Sequence, residues 1–218
     1  MSRLIKGLEH YLHVWTLGAI GVGDGADKLM TIDADPASKR FGKVIHTLSV
    51  GGRGEAHHMG FTDDRKYLWA GRLDDNPIFV FDVDSNPAKP RLVNTIKDFA
   101  AKTKFAGPHT FYALPGRMMI QALSNTKDHG GATMVLWDLQ AMEPTKVFDV
   151  PGAPLEIRWS LNGSDNWAIS ATALTSKLWL VKQDAAGQWQ AKDAAMIGDP
   201  AKIPLPVDIS ITAHGKGL

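Results

Sequence analysis

Short runs of β-forming residues that end in a polar residue recur along the chain. The four runs are LMTID ending at Asp33, FVFD ending at Asp82, MVLWD ending at Asp138 and LWLVK ending at Lys182. Their last residues lie 49, 56 and 44 positions apart, and a turn and a second apolar strand follow each run. Pairs of strands around tight turns, such as HHMGF-TDDRK-YLWAG and HTFYA-LPG-RMMIQAL, lie between them. The repeating unit therefore has four strands joined by turns.

Four antiparallel strands in about 45–55 residues are typical of a β-propeller blade. The fold class is thus all-β, with about four propeller blades; a β-sandwich or barrel does not predict the regular polar residue after each third strand. KDFAAKTK, from Lys97 to Lys104, is the one plausible helical turn. We expect residues 1–218 to form a single domain. The chain starts in the outer strands of one blade and a fifth inner strand begins at VDISI, so this domain is expected to be an incomplete ring.

Composition narrows the function classes. The 24 Lys and Arg residues balance 23 Asp and Glu, which argues against a nucleic-acid partner, since such proteins need clustered positive charge. The absence of cysteine excludes disulfides, thiolate metal sites and cysteine nucleophiles. No apolar run reaches the roughly 18 residues of a membrane span. Polar residues interrupt the opening MSRLIKGLEHYLHVW, so we do not expect it to act as a signal peptide.

Inner strands of a propeller line its central channel, so residues of different blades converge there. Aligning the inner hairpins on their turns puts His58, His109, Ile157 and Asp208 in register, preceded by His57, Pro108, Glu156 and Val207. Clustered imidazoles suit Cu, Zn, Fe or Ni, and His57, His58 and His109 are the candidate metal ligands.

The alternative is that the adjacent histidines are a surface or core coincidence. Neighbouring side chains in a strand point to opposite faces, so His57 and His58 can share a metal only if the strand is bent. Glycines at positions 51, 52, 54 and 60 permit such bending. Asp33, Asp82 and Asp138 are interpreted as turn caps, and the seven tryptophans as packing between blades.

Several motifs in order resemble the selenium-binding protein/methanethiol oxidase family. They are KLMTIDADP, GKVIHTLSVGGRGEAHHMGF, FVFDV with NPAKPRLV, GPHTFYALPGRMMI, PGAPLEIRW and IPLPVDISI, and they cover the chain from about Leu12 to Leu218. The resemblance implies a seven-bladed propeller and, for bacterial members, copper-dependent oxidation of methanethiol with O2 and water to formaldehyde, hydrogen sulfide and hydrogen peroxide. It places His57, His58 and His109 at the metal site.

The same resemblance assigns Glu156 and Asp208 as carboxylates near the metal, where either would orient a histidine or accept a proton. The expected cofactor is copper, with another transition metal as the alternative. A small thiol and O2 are the expected partners, and self-association through open blade edges is a further expectation. The resemblance to bacterial members implies a periplasmic location and a role in sulfur metabolism. Family members are about twice as long, and they carry another blade or so between NTKDHGG and ATMVLWD.

Two other functions stay open from the sequence. One is an inactive propeller fragment that serves as a metal-binding or protein-interaction module. The other is metal storage or delivery through the same histidines without turnover.

Overall fold

The computed structural model describes residues 9–127, 132–150, 154–159, 167–172, 175–197 and 201, and within these ranges no side chain of 132–134, 148–150, 154–159 or 194. The predicted strand repeat is confirmed: these residues form four antiparallel sheets, numbered 1 to 4 along the chain. Sheet 1 has three strands: β1 (Tyr11–Thr16), β2 (Lys28–Asp33) and β3 (Val44–Ser49). Sheet 2 has four: β4 (Ala56–Phe61), β5 (Tyr67–Arg72), β6 (Ile78–Asp82) and β7 (Arg91–Ile96).

Sheets 3 and 4 repeat this order, in which each strand pairs with the next strand of the chain. Sheet 3 consists of β8 (Phe105–Leu114), β9 (Arg117–Asn125), β10 (Ala132–Asp138) and β11 (Glu143–Val150). Sheet 4 consists of β12 (Pro154–Trp159), β13 (Trp167–Thr172), β14 (Lys177–Gln183) and β15 (Trp189–Met196). The predicted helical turn is α1 (Phe99–Thr103), between sheets 2 and 3.

The core lies between successive sheets, so a middle strand is buried on both faces. This explains why every residue of β6, IFVFD, is buried. Three apolar clusters fill the gaps between sheets. They contain Trp15, Leu29, Leu68 and Phe81 between sheets 1 and 2; Trp69, Ile78, Met118 and Trp137 between sheets 2 and 3; and Met119, Leu136, Val181 and Trp189 between sheets 3 and 4. These four tryptophans pack between blades, as predicted.

The aspartates that end the third strands cap turns, as the sequence indicated. The Asp82 carboxylate accepts hydrogen bonds from the backbone N–H and the hydroxyl of Ser85, and it pairs with Arg91 at 2.8 Å. The hydrogen bonds from Ser85, followed by the one from Arg91, lower the pKa of Asp82 well below its ordinary value. Asp138 similarly accepts the backbone N–H groups of Gln140 and Ala141.

No helix within the described ranges is long and apolar enough to cross a membrane.

Candidate metal centre

Three histidines from two blades meet at one point. One ring nitrogen from each of His57, His58 and His109 lies within 4.8 Å of the other two. The ring centroids are 4.6 Å apart for His57 and His58, 4.5 Å for His57 and His109, and 4.3 Å for His58 and His109. Among the described residues this is the one group of three or more His, Asp or Glu side chains close enough to share a metal ion.

A β-bulge brings both histidines of β4 to the same site. Ala56 pairs with Arg72 and Met59 pairs with Ala70, so His57 and His58 both lie opposite Gly71. Two residues opposite one interrupt the strict alternation of faces and bend the strand. The bend that the sequence required for a shared metal site is therefore present.

The same bulge recurs in the other two inner strands. His109 and Thr110 lie opposite Gln121, because Pro108 pairs with Ala122 and Phe111 with Ile120. In β12, Pro154 pairs with Thr172 and Glu156 with Ala171, which leaves Leu155 as the extra residue.

These pairings correct the register taken from the turns. His57 is equivalent to His109 and Leu155, and His58 to Thr110 and Glu156, whereas the turn alignment matched His58 with His109 and Ile157. The alignment on the turns was wrong because the turns differ in length: five residues separate β4 from β5, and two separate β8 from β9. Hairpin loops of unequal length do not mark equivalent strand positions.

The three imidazoles have different surroundings. His109 is 4% exposed, and its Nδ1 lies 3.0 Å from the Thr110 hydroxyl oxygen. In the tautomer whose Nδ1–H donates to Thr110, Nε2 carries the lone pair that a metal needs. The His57 side chain is 36% exposed, and its Nδ1 lies 3.9 Å from a carboxylate oxygen of Glu55. The cluster thus has a buried side at His109 and a solvent side at His57.

Of the two predicted carboxylate residues, the structure describes only the backbone of Glu156. That backbone lies in β12, opposite Ala171 at the bulge, and the Glu156 side chain is not among the described side chains. Asp208 lies outside the described residues altogether.

Sequence reasoning missed two neighbours of the histidines, Thr110 and Glu55. The motif itself held the signal for both: Thr110 follows His109 directly in PHTF, and Glu55 lies two residues before His57 in EAHH.

The family model for the 56 kDa selenium-binding protein (SBP56) matches residues 7–153, which include all three histidines. Over the full chain, the sequence is 53% identical to a methanethiol oxidase of Hyphomicrobium sp. and covers 66% of that protein. It is 42% identical to a methanethiol oxidase of Ruegeria pomeroyi, with 98% of the chain and 68% of the relative covered. The chain thus spans about two thirds of the length of these relatives.

The chain is also shorter inside the matched region. Its alignment with the Hyphomicrobium protein extends over 287 positions for the 218 residues of this chain, so at least 69 positions of the relative have no counterpart here. That difference exceeds one repeat of the pattern.

Solved structures share the fold at low sequence identity. A hypothetical selenium-binding protein from Sulfolobus tokodaii is similar with a TM-score of 0.59 at 16% identity, over 89% of this chain and 62% of that one. A putative 6-phosphogluconolactonase from Bacteroides uniformis gives 0.60 at 16% identity, over 84% and 51%. The family-model match and the two sequence matches, which cover 98% or more of this chain, together show that the chain belongs to the 56 kDa selenium-binding protein (SBP56) family.

Proposed function

We propose that this chain binds a copper ion through His57, His58 and His109 and takes part in the oxidation of a small thiol. The reaction is that of methanethiol with O2 and water to formaldehyde, hydrogen sulfide and hydrogen peroxide. The observation that carries the proposal is the convergence of three imidazoles within 4.8 Å. The name methanethiol oxidase, borne by the two relatives that match over the full chain, supports the substrate class.

The donor set fits the ion. Imidazole is a good ligand for copper, and the chain contains no cysteine, so its donors at this point are nitrogens. Metal–nitrogen bonds of about 2 Å put the donor atoms of one ion about 3–4 Å apart. Nitrogens within 4.8 Å therefore need only a small movement of the rings. When bound, copper would supply the one-electron chemistry that O2 requires.

The residues of the chain would hold and orient this centre. His57 and His58 act from the bulge of β4, and His109 acts from the bulge of β8. Thr110 would fix the His109 ring through Nδ1 and so direct Nε2 to the metal. The exposed His57 side leaves an approach for a small thiol.

Glu156 is proposed to hold or accept a proton beside the metal. Its backbone occupies the position of sheet 4 that His58 occupies in sheet 2 and Thr110 in sheet 3. Asp208 is proposed for the same role from the next inner-strand motif, IPLPVDISI.

Metal titration tests the proposal. The purified chain is titrated with Cu(II) and with Cu(I), and bound metal is counted by mass spectrometry. We expect one ion per chain. Because two of three ligands are removed, His57→Ala combined with His58→Ala should weaken binding by about 100-fold or more. His46→Ala, in β3 and outside the cluster, serves as the matched control and should bind like the wild type.

Turnover is measured on the same samples as O2 consumption and peroxide release with methanethiol. Copper bound at the histidines without O2 consumption would favour storage or delivery. Absence of copper at the cluster in copper-replete protein would leave the interaction module as the remaining function. A periplasmic location stays a prediction, which cell fractionation checks.

A further inference from the structure

The loop of residues 50–55, which delivers His57 and His58 into β4, is tied to a single residue of the first blade. Asp27, just before β2, accepts a hydrogen bond on its backbone oxygen from the Val50 N–H at 3.1 Å. Its own N–H donates to the Gly52 oxygen at 2.8 Å. Its Oδ2 accepts the N–H of Gly54 at 3.0 Å. Asp27 thus makes three hydrogen bonds to this six-residue loop.

The other carboxylate oxygen joins a second loop. Asp27 is fully buried, and its Oδ1 accepts the Gly18 N–H at 2.8 Å. Arg53 completes the connection by donating from Nε to the Gly18 oxygen at 2.8 Å. A buried carboxylate is costly unless its oxygens are hydrogen-bonded, and here each oxygen has a backbone donor.

The second blade holds the opposite side of the same loop. The N–H of Asp74 donates to the Gly54 oxygen at 3.1 Å, and the N–H of Leu73 to the Glu55 oxygen at 3.2 Å. Glu55 itself has a φ of +60°, a left-handed conformation that a non-glycine residue keeps only when its surroundings enforce it. Hydrogen bonds from both blades therefore fix the backbone that leads into the bulge of β4.

We infer that Asp27 is a positioning residue for the histidine cluster. By holding the loop of residues 50–55 against the first blade, it fixes the point at which the chain enters the bulge and so the places of His57 and His58. Its side chain binds backbone of the two loops and not a histidine, so its role is exerted through the loop. The metal readout of this inference rests on the proposed function.

Asp27→Asn keeps the shape of the side chain and removes one acceptor. The amide NH2 of asparagine would face the N–H of either Gly18 or Gly54, and two donors cannot bond to each other. We expect faster hydrogen exchange across residues 50–58 in the metal-free protein. We also expect copper affinity to fall by about 10-fold or more, as for other changes that disturb the support of a ligand.

Asp33→Asn is the matched control, because it makes the same change at the other end of β2. Asp33 is also buried and accepts hydrogen bonds from the Ser38 hydroxyl and the Asp35 N–H. Both variants should lower the melting temperature. Only Asp27→Asn should change exchange at residues 50–58 and copper affinity.

Arg53→Met is a milder second variant in case Asp27→Asn does not fold. It removes the bond to Gly18 from an exposed residue and should change exchange and affinity in the same direction by a smaller factor. Exchange and affinity equal to those of Asp33→Asn would overturn the inference. If the wild type binds no copper, the proposed function fails, whereas hydrogen exchange still decides whether Asp27 positions the loop.

Discussion

Gln121 is buried opposite the bulge of His109 and Thr110, and neither atom of its amide has a hydrogen-bond partner. The residues at equivalent positions, Gly71 in sheet 2 and Ala171 in sheet 4, have no polar side chain. A buried amide without partners loses its hydration and gains no bond in return. We therefore expect Gln121 to lower the stability of the fold.

Gln121→Leu should raise the free energy of unfolding by about 1–2 kcal/mol, because it removes both unsatisfied atoms at similar volume. Urea denaturation measures the change. Gln140→Leu, at an exposed turn position, is the control and should stay within about 0.5 kcal/mol of the wild type. A clear destabilisation by Gln121→Leu would mean that the amide has a buried partner, such as a water molecule.

At the scale of elements, the fit between β5 of one blade and β8 of the next decides how close the histidines come. A Cβ on Gly71 would lie 2.3 Å from the Pro108 oxygen and 2.9 Å from the Phe111 ring. Gly71 also lies opposite His57 and His58, while Pro108 directly precedes His109. The contact therefore links the two halves of the cluster.

Gly71→Ala should force the two strands apart. Overpacking of this kind costs about 1–3 kcal/mol, and the displaced β8 should carry His109 away from His57 and His58. We expect a lower melting temperature together with weaker copper binding, both measured on the purified variant.

Gly116→Ala separates this packing effect from a backbone effect. Gly116 has a φ of +66° with open space around its Cβ position, so alanine there costs about 1–2 kcal/mol of backbone strain without a clash. Copper affinity should be unchanged in this control. If Gly71→Ala also left copper affinity unchanged, the contact with Pro108 would not set the spacing of the histidines.

At the scale of the molecule, neighbouring blades are joined by packing and by buried hydrogen bonds between sheets. The Trp15 indole of sheet 1 donates from Nε1 to the Gly71 oxygen of sheet 2 at 2.9 Å. Its ring packs against Phe79 and Phe81, with centroids 5.6 and 5.9 Å away. The backbone opposite His57 and His58 is thus supported by the first blade as well.

Sheet 1 differs from the others in the strand that forms its edge. Tyr11 pairs with Asp33 as Tyr67 pairs with Asp82, so β1 is equivalent to β5, and the described part of the chain has no strand in sheet 1 equivalent to β4. Leu12 in β1 is 53% exposed. An edge strand with exposed apolar residues pairs readily with another chain.

We therefore expect self-association through β1. Light scattering over a hundredfold range of concentration should show a dimer whose fraction falls in Leu12→Lys, because a charge on the edge opposes pairing. Ile20→Lys changes an exposed aliphatic residue of the loop between β1 and β2, outside any strand edge, and should not alter the dimer. Equal behaviour of the two variants would exclude β1 as the interface.

The sequence by itself determined the local order of this protein. Alternating apolar runs, turn residues and their spacing predicted the antiparallel sheets and α1, because strand period and turn chemistry depend on neighbouring residues. The organisation of residues 1–218 as a single domain stays a prediction. The three histidines were also identified from the sequence, through the repeat and the motifs EAHHMGF and GPHTFYALPG.

Only the tertiary structure decided how those histidines meet. The bulge that turns His57 and His58 to one side, the match of His57 with His109, and the support of the loop by Asp27 all depend on pairing between distant segments. Gly71 and Gln121 are ordinary residues in the sequence and acquire their roles from what lies opposite them. Strand register and contacts between blades arise from packing between segments that are distant in the sequence, so a local sequence pattern does not determine them.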